Sequence, residues 1–316
     1  MVLDLETAQH RLHDLGITHP VHIASGMEGH VFRIDEERIA KTWFGKAVRD
    51  LLALQGFYEI LEALHLPFET PRILGMESVE GTTISFERAL PGKPMSIWLR
   101  EDDEIIPAFA KTALTTILRG LGSAATTTAL DPNIPMLGVS IADENVSGCQ
   151  SSRLLNVANA RVARHGPQLR ASVPAFDWIV ARTRQHLTAL EPTDVRAIHG
   201  DLCPTNILLD DQRRVTAVLD WGFLSTFGDP AFDIAIAAGI FNMYGNSSRA
   251  MENELVETFG QEFGFSRKRL LLYRTLYAIL TSNAYSPDGT DGHYAWCVAT
   301  LRRNDVRAML ASSSVQ

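Results

Sequence analysis

Asp201, Asn206 and Asp220 are the side chains whose types and spacing could do chemistry together. Residues 195–233 read VRAIHGDLCPTNILLDDQRRVTAVLDWGFLSTFGDPAFD. Two short apolar runs, 195–198 and 215–219, each end in polar residues. His199-Gly200-Asp201 follows the first and Asp220-Trp221-Gly222 the second. Between them Ile207-Leu208-Leu209 leads into the turn-forming pair Asp210-Asp211. This pattern predicts a tight, buried antiparallel hairpin with one loop before it and one after it. Buried strands do not need aspartates at their ends in order to fold. In such a hairpin Asp201, Asn206 and Asp220 converge at one mouth. Two carboxylates and an amide oxygen suit a hard cation with oxygen ligands, such as Mg²⁺. A carboxylate left off the metal can accept a proton from an attacking hydroxyl. Metal clamp, base and positioning are the protein parts that phosphoryl transfer needs.

His-Gly-Asp alone is a loop and Asp-Trp-Gly alone a turn. Their order, with Gly228-Asp229-Pro230 and Asp233 behind them, is dense over roughly 35 residues and resembles the aminoglycoside phosphotransferase family. That family has a protein-kinase-like fold and includes antibiotic and small-metabolite kinases. The resemblance implies an α+β, bilobal chain, with a small β-rich nucleotide lobe in residues 1–90 and a larger helical, acceptor-binding lobe in residues 91–316. It implies Asp201 as catalytic base, Asn206 and Asp220 as Mg²⁺ ligands, and His199 as a brace of the catalytic loop. Asp229 is expected to hold that loop from the following segment. ATP or GTP is the implied donor.

The elements that must position these groups begin in the first lobe. Residues 5–15 carry a helical stripe, Leu5, Ala8, Leu12 and Leu15. Residues 21–34 read strand, glycine turn, strand. Gly26 and Gly29 either bring backbone N–H groups to a phosphate or make a plain hairpin turn. Residues 38–43 read as a third strand with Ile39 and Lys41 on one face. An inward lysine costs free energy unless it is paired. The alternative is a solvated edge lysine. Lys41 falls where the family's nucleotide lysine belongs, which implies contact with the α- and β-phosphates. Residues 46–66 form a leucine-rich helix. By resemblance an acid from it pairs with Lys41: Glu59, with Glu62 as the alternative and Gln55 also near that position. Residues 72–76 and 83–86 are two further strands. Glu87 to Leu90, before Pro91-Gly92-Lys93-Pro94, resembles the hinge that binds the adenine edge.

In the second lobe, residues 103–120 are predicted helical, with Asp102 or Asp103 as cap. Residues 140–166 read as an irregular insertion with helical stretches. Helices are expected over 174–190, 230–243, 249–263, 267–285 and 294–310. By resemblance the C-terminal helices wall the acceptor pocket. There Asp288, Asp291 and Glu252 could attract ammonium groups, although acids in loops are ordinarily solvated.

Composition excludes several classes. The chain has 316 residues, 46% hydrophobic and 21% charged, with a formal net charge of −8. That is ordinary for a globular protein and lacks the basic surplus of a nucleic-acid binder. An acidic balance is compatible with a cationic substrate. Cys149, Cys203 and Cys297 form no Cys-x-x-Cys pair, so a reducing, cytoplasmic setting is expected. The first fifteen residues mix charges with leucines and do not resemble a signal peptide. The most apolar run, 234–241, is too short to span a bilayer. No Ala-Pro-Glu follows Asp220, and residues 223–227 leave no room for a long activation segment. A small hydroxyl acceptor is therefore expected rather than a protein. Antibiotic resistance, metabolism of an amino alcohol or sugar, and a non-catalytic pseudokinase are the readings that stand.

Overall fold

The computed structural model describes residues 3–100, 102–124, 134, 136–137, 150–191 and 193–313. In the first part of the chain, β1 (Val21–Ser25), β2 (Gly29–Arg33), β3 (Arg38–Trp43), β4 (Ile73–Val79) and β5 (Thr82–Arg88) form one antiparallel sheet of order β1-β2-β3-β5-β4. Alternation along the strands sends Phe32, Ala40 and Ile84 to one face. Helix α1 (Leu5–Asp14) covers that face with Ala8 and Leu12, and Asp4 caps its start by accepting from Thr7 N at 2.8 Å. Helix α2 (Val48–Ala63) buries Leu51, Leu54, Phe57, Tyr58 and Leu61, a stripe at helical spacing that joins the main core together with Trp43 and Ile73.

The rest of the chain is mostly helical. The strand β6 (Lys93–Pro94) pairs with β8 (Ile207–Leu209), which pairs with β9 (Val215–Val218). The expected hairpin is therefore present, and Glu69 bridges it to the first part of the chain through Ala217. The strand β7 (Arg196–Ile198) instead pairs with β10 (Thr226–Gly228), which clamps the two ends of the 195–233 stretch together. Around these strands lie α3 (Ala108–Ser123), α4 (Gln150–Ser172), α5 (Phe176–Thr188), α6 (Ala231–Ile240), α7 (Ser248–Phe263), α8 (Arg267–Thr281), α9 (Gly292–Leu301) and α10 (Asn304–Ala311). Every residue of α8 from Arg269 to Thr281 is buried. It is the central post against which α4, α5, α6, α7, α9 and α10 pack.

Three sequence expectations change. The helix expected over 103–120 starts at Ala108, because Asp103 is spent accepting from Arg100 N (3.0 Å) in the preceding loop and Pro107 sets the first turn. Residues 150–166 are one continuous helix, whereas 140–149 of the expected insertion lie outside the described residues. The closing helix is two helices. Arg303 is extended, and its guanidinium turns back to Glu252 and Asp305. No described helix is long and apolar enough to cross a membrane.

Candidate active site

The catalytic stretch is held from three sides. Asp233, in the first turn of α6, accepts the backbone N–H groups of His199 and Gly200, each at 2.7 Å. His199 accepts Asp201 N on Nδ1 (3.0 Å) and donates from Nε2 to the Leu219 carbonyl (2.7 Å). It therefore links the loop before the hairpin to the loop after it. Its imidazole lies against the Trp221 ring at 4.6 Å, and burial pushes its pKa down to about 4. It is a neutral brace, as that hydrogen-bond pattern requires. Ser225 Oγ donates to the His199 carbonyl (2.6 Å) and accepts Gly222 N (2.8 Å). Gly200 has φ +82°, and a Cβ there would lie 2.6 Å from Leu224 Cβ and 2.7 Å from its carbonyl, so only glycine fits.

Asp229 does not hold the catalytic loop, contrary to the sequence expectation. Its Oδ1 accepts Ala231 N (2.9 Å) at the start of α6, and its Oδ2 faces α8. There it accepts Arg269 Nε (3.0 Å), the Arg269 guanidinium terminus (2.6 Å) and Tyr273 OH (2.6 Å). The brace is one helical turn further on, at Asp233. Sequence reading had that residue in view within the motif and assigned the role to its neighbour.

Asp201 and Asp220 flank the hairpin mouth. Asn206 Nδ2 donates to the Asp201 carbonyl (3.0 Å) and to its carboxylate (3.3 Å), and Tyr277 OH, from α8, donates to the other carboxylate oxygen at 3.5 Å. Burial pushes the Asp201 carboxyl up to about 7, the charge of Asp220 adds to the rise, and the bonds from Asn206 and Tyr277 oppose it. Asp220 is exposed and has φ +56°, a left-handed conformation uncommon outside glycine. Among the described residues its carboxylate has no hydrogen bond or ion pair. The Asn206 amide oxygen likewise accepts none. Two open oxygen donors beside a carboxyl that is hard to ionise fit a hard divalent cation. Cys203, in the same loop, is paired with Thr205 Oγ1 (2.9 Å), and burial pushes its thiol up to about 12. It is no nucleophile.

On the first-lobe side Lys41 lies over the Trp43 ring, 3.7 Å from its centroid, and pairs with Glu28 at 3.3 Å. Burial works against its charge, and the carboxylates of Glu28, Asp220 and Glu87 outweigh burial, so its pKa rises. The helix acids named from sequence do not reach it. Glu59 is exposed on the outer side of α2, whose inward stripe is apolar; Glu62 pairs with Arg72 (3.2 Å), and Gln55 bonds the Ile73 carbonyl (3.5 Å). Glu87 is buried on β5 facing Lys41, and Ser85 Oγ donates to it at 2.6 Å. Leu90 is half-buried just past the sheet, after Ala89, whose N–H bonds the Glu37 carbonyl (2.7 Å). A Cβ on Gly29 would sit 2.0 Å from the Thr42 carbonyl oxygen, so close strand approach demands that glycine. Gly26 has open space around it. Sequence reading missed Glu28 and Lys46. The signal for Glu28 was its place between the two glycines.

On the acceptor side the three acids named from sequence divide. Asp288 is bonded by Ser286 and Thr290 within its own loop. Glu252 is buried and held by Arg303 at 2.8 and 3.0 Å, with Arg274 at 3.9 Å. Asp291 caps α9 through Tyr294 N (2.6 Å), and its second oxygen is buried without a partner among the described residues. What flanks Asp201 is aromatic. Tyr277 meets His293 and Trp296 edge-on (6.4 and 6.2 Å), Tyr285 meets His293 (4.8 Å) and stacks on Phe223 (6.4 Å), and Tyr244 OH lies 3.5 Å from His293 Nδ1. Burial pushes His293 down to about 4, so it stays neutral.

The family described as Phosphotransferase enzyme family matches residues 21–273 of this chain. No curated protein matches it. Solved structures similar to it include aminoglycoside phosphotransferase APH(3'')-Id from Streptomyces rimosus ATCC10970, at 23% identity and TM-score 0.56, over 89% of this chain and 99% of that one. The gentamicin complex of APH(2'')-IIa is similar at 14% identity and TM-score 0.62, over 98% and 99%. The GDP complex of aminoglycoside 2'-phosphotransferase-IIIa is similar at 16% identity and TM-score 0.60, over 96% and 99%. At these identities the likeness establishes the bilobal, protein-kinase-like α+β fold.

The two aspartates of α6 and its approach should separate by assay. Asp233→Ala strands two backbone N–H groups and loosens the loop, so phosphoryl transfer should fall by about 10²-fold. Asp229→Ala strands the buried Arg269 and should cost about 3–5 kcal/mol of stability in denaturant titration. Equal loss of transfer in both variants at matched folding would contradict the assignment. The pH profile gives a second check. With its carboxyl raised to about 7, Asp201 could serve as a base only above that pH. Below that pH kcat/KM should fall about tenfold per unit, and a flat profile from about pH 5.5 to 8 would contradict it.

Proposed function

The chain belongs to the phosphotransferase enzyme family, and from that premise we propose that it moves the γ-phosphoryl group of ATP or GTP to a hydroxyl of an aminoglycoside-like or other natural-product acceptor, as an antibiotic-resistance kinase does. The observation that carries this reading is the Asp201 carboxylate, held between Asn206 and Tyr277 and raised by burial and by Asp220. A carboxylate so placed takes the acceptor proton as the oxygen–phosphorus bond forms and the bond to the β-phosphate oxygen breaks, releasing ADP or GDP. Residues 1–90 hold the nucleotide and residues 91–316 the acceptor. Lys41 gathers phosphate oxygens, and the backbone between Glu87 and Leu90 meets the base.

Asn206 and Asp220 would hold Mg²⁺. Among the described residues no three His, Cys, Asp or Glu side chains converge on a metal site. The protein then offers one carboxylate and one amide oxygen, and the nucleotide phosphates complete the shell, the usual way Mg²⁺ is held. When bound, the cation neutralises charge on the transferring group. The residues themselves position and orient, which is most of what phosphoryl transfer asks of a protein.

One observation favours a second reading, a metabolic kinase of an amino alcohol or sugar. Glu252 and Asp288 are engaged within the fold, the second oxygen of Asp291 is buried, and the described groups around Asp201 are aromatic. Such a wall suits an acceptor with few positive charges better than a polyamine. The free thiols Cys203 and Cys297 suit a reducing cytoplasm.

Incubation with Mg²⁺ and ATP or GTP against aminoglycosides, macrolides, peptide antibiotics, amino alcohols and sugars, read by mass spectrometry, tests this. One acceptor class should gain a phosphoryl group, and Asp201→Ala should lower the rate by about 10²–10⁴-fold while nucleotide still binds. Transfer at the wild-type rate in that variant would remove Asp201 as the base. Nucleotide binding by the wild type without transfer to any acceptor would favour the pseudokinase.

A further inference from the structure

Two ammonium groups converge on one carboxylate beside the glycine turn. Glu28 lies on the turn that joins β1 to β2, between Gly26 and Gly29. Its carboxylate takes Lys41 at 3.3 Å on one oxygen and Lys46 at 2.5 Å on the other. Both lysines also stand over the Trp43 indole, at 3.7 and 4.7 Å from its centroid. Two ammonium groups this close need an anion between them. Here that anion is a side chain on the element whose analogues cover nucleotide phosphates.

The backbone of Glu28 is pinned, and among the described residues its carboxylate is held by the two lysines alone. Its carbonyl accepts Phe44 N (2.7 Å), and Gly26 N bonds the Gly29 carbonyl (3.0 Å) to close the turn. The Glu28 side chain is 46% exposed and that of Lys46 36%. Ion pairs this open to water are worth little, so a triphosphate with several charges can displace this one. Glu87 is the opposite case. It is buried and held by Ser85, whose Oγ in turn accepts Trp43 Nε1 at 2.8 Å. It stays beside Lys41 when Glu28 leaves, and no acid of α2 reaches that lysine. When Glu28 leaves, the positive charge offered to phosphate is that of Lys41 and Lys46 together.

We propose that Lys46 is a second phosphate-binding lysine, and that Glu28 fills the phosphate position until nucleotide displaces it. The proposal rests on the kinase reading above. The pKa of Glu28 is consistent with it: burial raises it, and the two lysines more than reverse that, so it is a charged anion ready to exchange with another.

Calorimetric titration of the full chain with Mg-ATP and, separately, with adenosine tests it, using wild type, Lys46→Ala and Glu28→Gln, with circular dichroism to confirm folding. Lys46→Ala should weaken Mg-ATP about tenfold and leave adenosine unchanged. Glu28→Gln should tighten Mg-ATP several-fold and leave adenosine unchanged, because the competitor is gone. Mg-ATP affinity equal to wild type in Lys46→Ala overturns the role of that lysine. Unchanged or weaker Mg-ATP binding in Glu28→Gln overturns displacement, and so does equal loss of adenosine and Mg-ATP in either variant. Failure of the wild type to bind Mg-ATP or Mg-GTP would instead remove the kinase reading and this proposal with it.

Discussion

The charge of Asp220 reaches Asp201 across the hairpin mouth and makes it harder to ionise. Two acids are held near each other there because the backbone on both sides is fixed. The β7–β10 pair clamps the ends of the stretch, and His199 ties Asp201 N to the Leu219 carbonyl. Asp233 takes the two N–H groups of residues 199 and 200, and burial pushes its own carboxyl up to about 7 against those bonds. The fold therefore holds two carboxyl groups near each other at one point, and burial and the Asp220 charge both raise Asp201. An aromatic chain from α2 to the hairpin keeps the halves in register. Phe57 meets Trp221 at 5.9 Å and Phe227 at 5.7 Å, and Trp221 in turn covers His199.

The same theme recurs on the nucleotide side with the sign reversed. Lys41 and Lys46 share one half-exposed anion, Glu28, while Glu87 remains buried beside them. Two carboxyl groups flank the hairpin mouth, whereas two ammonium groups stand over Trp43 with Glu28 between them. On the acceptor side the helices offer rings more than charge. Tyr277 touches Asp201 directly, and Tyr285 and Tyr244 are exposed beyond it.

How much of this was legible in the sequence differs by element. The five strands of the first sheet, the β8–β9 hairpin and most helices followed from periodicity, because alternation and the 3.6 repeat survive burial on one face. That Asp201, Asn206 and Asp220 come together was legible, because spacing and residue type coincide around a short hairpin. The partner of Lys41 was not, since a pairing across a turn leaves no periodic trace and helix acids are always in plentiful supply. Asp229 and Asp233 are four residues apart at a helix start, and which one looks back at the loop depends on the direction of α6. Glu252 and Asp291 illustrate the remaining gap. Both are acids near the C-terminal helices, yet the break between α9 and α10 turns Arg303 onto the first and leaves one oxygen of the second open.

The most direct test of the paired-acid site is electron paramagnetic resonance of Mn²⁺, standing in for Mg²⁺, titrated into the protein with ADP or GDP. Wild type should immobilise Mn²⁺ only when nucleotide is present, and Asp220→Asn should lose most of that signal while nucleotide still binds. Mn²⁺ held equally well by Asp220→Asn, or held by neither protein in the presence of bound nucleotide, would contradict the assignment of Asp220 and Asn206 as the metal-holding pair.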